Sequence, residues 1–72
     1  MVDRDQVLKD HEEELERGII LLNLDIRHLE RQKITARDND LNDIQEGIRL
    51  AKTKIKIYQD RIQLIDDILA GK

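Results

Sequence analysis

The chain contains no cysteine, no proline and only one aromatic residue, Tyr58. Without cysteine there is no disulfide, no iron–sulfur cluster and no thiolate zinc site. Without aromatics there is little for a nucleic-acid base to stack on. No apolar run approaches the roughly 20 residues that a membrane span requires. The opening stretch "MVDRDQVLKD" is acidic and has no apolar signal segment, so a soluble, cytoplasmic protein that avoids membranes is expected. Only His11 and His28 offer imidazole to a metal, and the "HExxH" pattern is missing. Glycine-rich phosphate loops and a meaningful Ser–His–Asp spacing are missing as well. The expectation is a non-enzyme with no catalytic residue, metal or cofactor. The acids beside the histidines in "DHEEE" and "DIRHLE" read as helix-surface salt bridges.

Leu, Ile and Ala are there in quantity, together with charge. Charged residues make up 40% of the 72, with a formal net charge of −3. A chain this short usually needs a disulfide, a metal or a partner chain to be stable, and self-association is the route left open.

The apolar residues are regularly spaced, which separates this chain from a disordered one. From Leu41 they fall at Ile44, Ile48, Ala51 and Ile55, then at Tyr58, Ile62, Ile65 and Leu69. These alternating steps of three and four make a heptad seam, the signature of a packed helix. A second seam runs through Leu8, Leu15, Leu22 and Leu29, with Ile19 and Ile26 at the alternate places and Glu12 and Lys33 at its ends. Continued past Leu29, that register misses Leu41 by one residue. "TARDNDLND" lies at the break, rich in residues that favour caps and turns. The spacing therefore predicts helix 1 over about 4–35, a turn over about 36–40 and helix 2 over about 41–69. Asp38 or Asp40 is expected to cap helix 2, and Asn39 to end helix 1 in the left-handed conformation. One long coiled-coil helix with a skipped residue is the competing arrangement.

Charge favours the hairpin. Residues 1–16 carry seven acids against two bases, and 49–61 are mostly basic. Folding back near residue 38 brings Glu12, Glu13, Glu14 and Glu16 close to the level of Lys56 and Arg61.

A hairpin does not use all the apolar surface. Leu50, Ile57 and Leu64 form a second stripe about 100–130° from the main seam, by the helix's roughly 100° per residue, with Ile68 beside it. In "GIILLNLDI" the residues Ile20, Leu21 and Leu24 point away from the seam. A helix apolar all round is usually buried all round. The fold class expected is all-α: an antiparallel coiled-coil hairpin that dimerises into a four-helix bundle. Its oligomer interface draws on the seam residues Leu15, Ile19, Leu22, Ile26, Leu29 and Ile48, on Ile55, Tyr58, Ile62 and Ile65, and on the surplus Ile20, Leu21, Leu24, Leu50, Ile57 and Leu64. The partners are a second copy, or more, and a further protein. The function expected is a small interaction module: an adaptor, a regulator or an inhibitor, such as a phage would encode against a host machine.

Two alternatives carry residues of their own. Arg27, Arg31, Lys33 and Arg37, with Lys52, Lys54 and Lys56, would serve RNA or DNA binding through basic stripes. The stretch "ARDNDLND", 36–43, resembles the tip of the N-terminal coiled-coil hairpin in the Gre transcript-cleavage factors, "ARE-x-GDL-x-EN". That resemblance implies that Asp40 and Asp43 stand where the Gre tip carries its acids, which act on the metal in the polymerase secondary channel. With Asp38 they would form an acidic tip. The match covers only the tip. It lacks the Gre tip glycine, needs one inserted residue, and brings no Gre C-terminal domain.

Overall fold

In the computed structural model, which describes residues 2–71, two α-helices fold back on each other. The first, α1, spans Arg4–Thr35 and the second, α2, spans Asp38–Leu69. The single long helix is thereby excluded.

Each helix end has a local cause. Asp3 caps α1, its carboxylate accepting from the backbone N–H of Asp5 at 3.0 Å and of Gln6 at 3.4 Å. Ala36 and Arg37 are both extended, and these two residues are the entire connection. The expected turn over 36–40 is therefore shorter, and α2 starts three residues earlier than the pattern indicated. Asp38 and Asp40 lie inside the first turn of α2, where acids complement the helix dipole, and neither caps it. The cap position is held by Arg37 with no side-chain bond. Asn39 is helical, and no non-glycine residue among those described has a positive φ. Two extended residues reverse the chain without a left-handed one. They also absorb the one-residue slip between the seams. At the other end Gly71, at φ +79°, stops α2 and donates its N–H to the Ile68 carbonyl at 3.1 Å.

The helices meet along the two seams. Ile26, Ile48 and Ala51 form a buried cluster, with Leu22, Leu29, Ile44 and Ile55 packed on it. Leu15 and Ile65 are buried further along. With Gly47 against Leu29 and Gly18 against Tyr58, the heptad steps place Ile26 at about the level of Ala51, Leu29 of Ile48, and Leu22 of Ile55. Gly18 lies against Tyr58, where an added Cβ would come within 2.7 Å of the ring, and Gly47 lies against Leu29. The lone aromatic ring is thus accommodated by a missing side chain opposite.

The molecule is a rod of 55 × 19 × 15 Å. Its radius of gyration is 16.5 Å, against roughly 11 Å for a compact domain of this length. A two-helix rod has one internal seam and no enclosed centre. No described side chain is completely buried, and the least exposed, Leu15 and Ile65, keep 5% of their surface.

Candidate interaction surface

The seam uses up one part of the apolar inventory. Leu15, Ile26, Ile48 and Ile65 are buried within the hairpin, and Ile19, Leu22, Leu29, Ile55, Tyr58 and Ile62 are half-buried. These residues pack α1 on α2. The half-buried members keep part of their surface exposed beside the surplus.

The surplus stays in water. Leu64 is 61% exposed, Leu50 50% and Ile57 45%, with Ile68 beside them, while Ile20, Leu21 and Leu24 all exceed 60%. Heptad position sorts them. Two antiparallel helices joined along a seam are related by an approximate two-fold across it, so equivalent heptad places fall on the same flank of the hairpin. Leu21 of α1 shares its place with Leu50, Ile57 and Leu64 of α2, and Val7 shares it too. Ile20 and Ile34 belong to the other flank, and Leu24 points directly away from the seam. An open groove on that second flank is lined by Ile20, Asn23, Leu24 and Arg27. On α2 the second flank is wholly polar, carrying Gln45, Arg49, Lys52, Lys56, Gln59 and Gln63. On α2 one flank carries a continuous apolar stripe and the other none; α1 adds Val7 and Leu21 to the apolar side, between Glu14, Asp25 and His28.

Electrostatics along the seam differ from the expected matching of acids with bases. The three ion pairs among the described residues are all local: Arg4 with Asp5, His11 with Glu14 at 3.6 Å, and Arg49 with Glu46. Acids and bases do reach similar heights. However, none of them pairs across the hairpin: Glu16 and Arg61 lie on opposite flanks, and Glu14 and Arg61, on one flank, do not close. Glu12, at a seam place, instead meets Asp66. A hydrogen bond with Asp66 holds the Glu12 carboxyl above the usual carboxylate range, and desolvation and the charges of Asp66 and Glu16 push the same way. Arg49 does the reverse to Glu46: its hydrogen bond, at 3.0 Å from Nε to Oε2, lowers that carboxyl.

Neither families of known sequence, nor curated proteins, nor solved structures give a match to this chain. The surface must be read on its own terms.

The seven bases expected to contact nucleic acid are all exposed, and the helices distribute them. Arg27, Lys52 and Lys56 fall on the polar flank, where Arg49 joins them. Lys54 lies on the apolar flank, Arg31 faces away from the seam, and Lys33 and Arg37 sit near the link. The acids Asp38, Asp40 and Asp43 are exposed at the link end of α2, and an open recess there is lined by Gln32, Thr35, Asp40 and Asp43. His11 pairs with an acid as expected, whereas His28 bonds to Gln32 at 3.1 Å between the two side-chain nitrogens. No group of three or more His, Asp or Glu side chains arranged for a metal occurs among the described residues. No helix of the described chain is long and apolar enough to cross a membrane.

Sequence reasoning passed over Val7 and Ile34, which are 51% and 83% exposed. Val7 was legible as a member of the Leu21 place. Ile34 was legible in the same way, as a member of the Ile20 place.

Proposed function

We propose that this chain is a small, non-enzymatic interaction module, an adaptor, regulator or inhibitor that works as an oligomer of hairpins. One observation supports it above others: after the seam is closed, large aliphatic side chains remain at least 43% exposed along both helices. Burying them is favourable by about 25 cal/mol per Å² of apolar surface. Exposed patches of this kind mark contact surfaces. A 32-residue helix in a two-helix hairpin has one neighbour. Its pattern is that of a helix with two. The chain lacks the converging nucleophile, base and oxyanion donors that catalysis on two straight helices would need.

The test is the mass of the folded protein by light scattering after size exclusion, followed by capture of a tagged copy from its native cell. A folded single chain at micromolar concentration is incompatible with the proposal.

A second reading has one observation in its favour: Arg27, Arg49, Lys52 and Lys56 share the polar flank at neighbouring heights. A nucleic-acid contact there would weaken steeply with salt. Absence of binding at about 50 mM salt removes it.

A further inference from the structure

We infer that the apolar flank is covered by a second copy of this hairpin. The two-fold axis runs along the rod, so that α1 of one copy lies against α2 of the other. The inference rests on the oligomeric reading above and adds the face, the register and the pairing of helices.

The choice of face follows from the exposed residues. Leu21, Leu50, Ile57 and Leu64 share one heptad place, and Ile68 adjoins them. The opposite flank of α2 has no apolar residue to offer. A contact centred on the polar flank would bury Arg49, Lys52 and Lys56 together, three like charges with Glu30 the acid of α1 nearest their height on that flank.

Charge selects the arrangement. A two-fold parallel to the helices leaves every residue at its own height along the rod. α1 therefore meets the partner's α2 in the register already fixed by the intramolecular seam, with no freedom to slide. At those heights Asp25 comes within two residues of the level of the partner's Lys54, and Glu14 within two residues of the partner's Arg61. On the outer edge of the same contact, Arg17 is level with the partner's Asp60 and Arg31 with the partner's Glu46. Two level opposite-charge pairs, and two offset by two residues, arise from a register chosen on apolar contacts alone. The exception is Asp10 beside the partner's Asp67; within its own chain each of these two acids accepts from a glutamine, Gln6 at 2.9 Å and Gln63 at 3.1 Å. The other two-fold arrangement, with the axis across the rod, stacks α2 on its own copy. Centring the stripe on Ile57 then sets Lys54 and the partner's Arg61, both facing the contact, within one residue of each other, like against like, with the partner's Asp60 level with Lys54 on the outer edge. Such pairs contribute little to affinity and much to the choice between arrangements. None of Asp25, Lys54, Glu14 and Arg61 takes part in an ion pair between α1 and α2 within the chain.

The absence of cysteine makes the test direct. Chains carrying only Leu21→Cys are mixed with chains carrying only Ile57→Cys, exchanged, and treated with a short bis-maleimide. The expected product is the mixed cross-linked dimer, with little from either variant alone. A dominant cross-link in Ile57→Cys alone means that α2 meets α2, and overturns the inference while leaving the oligomer intact. In parallel, Ile57→Gln with Leu64→Gln is expected to halve the mass while the chain remains helical, whereas Ile20→Gln with Ile34→Gln keeps the wild-type mass. The reverse pattern moves the contact to the other flank and overturns the inference. A wild-type chain that is a folded monomer at micromolar concentration overturns both this inference and the functional proposal.

Discussion

Glu12 occupies a seam place that the heptad reserves for an aliphatic, and it faces Asp66 across the hairpin. Its folded-state pKa lies above its unfolded value, so the ionised form costs stability at neutral pH. That cost is relieved as pH falls through the raised value, and the relief is complete once the unfolded chain is also protonated. Glu12→Gln, which keeps a polar partner for Asp66 and removes the charge, should therefore raise the melting temperature at pH 7. The advantage should shrink near pH 4. A constant difference across that range would mean that the Glu12 charge is not the cause. Glu46, lowered by Arg49, works in the opposite sense, and its contribution is lost only as pH falls through that depressed value. Gly18 offers a second test at this scale. Alanine there gains about 1 kcal/mol of helix propensity, but its Cβ would stand 2.7 Å from the Tyr58 ring. Overpacking of this kind costs about 1–3 kcal/mol. Gly18→Ala should be net destabilising in chemical denaturation, and Gly18→Ala with Tyr58→Leu should recover the loss. At Gly47 the nearest atom is a Leu29 methyl at 3.3 Å, the end of a flexible side chain. There alanine should stabilise, by about 0.5 kcal/mol.

At the scale of the helices, the seam carries the fold. Ile48 and Ala51 of α2 pack with Ile26 of α1 in one buried cluster. Ile48→Ala should cost about 2–4 kcal/mol and, in a molecule with so little buried volume, should leave the hairpin largely unfolded by circular dichroism at 37 °C. A substitution of Leu24, which faces away from the seam, should leave hairpin stability within about 0.5 kcal/mol. The seams, their partners and the antiparallel sense were legible because period and phase are written in the aliphatic residues themselves. Those of α2, from Leu41 to Leu69, all lie at least half-buried. The link was less legible. Asp38, Asn39 and Asp40 have strong cap preferences, but the same side chains are equally at home in a first helical turn, where the dipole favours acids. Ala36 and Arg37, which make the reversal, carry no turn signal. The cross-hairpin ion pairs were misjudged for a geometric reason: height along the rod can be counted from sequence separation, while flank depends on the angle around each helix.

For the molecule as a whole, the shape and the surface make one statement. A rod 55 Å long with a single internal seam leaves an apolar stripe along one side, and Leu50, Ile57 and Leu64 need a cover that the chain does not supply. That surplus was readable in the sequence, from Leu50 onward at sevenfold spacing. Which surplus residues share a flank became readable only when the antiparallel register was fixed by Ile26, Ile48 and Ala51. In the proposed dimer the charges of that flank pair across a two-fold, and those of the other flank remain free for solvent or for a further partner. The most direct measurement is the mass of the folded wild-type protein in solution by multi-angle light scattering at micromolar concentration. A species of two 8.5 kDa chains is expected; a folded, fully helical species with the mass of one chain would contradict the dimer.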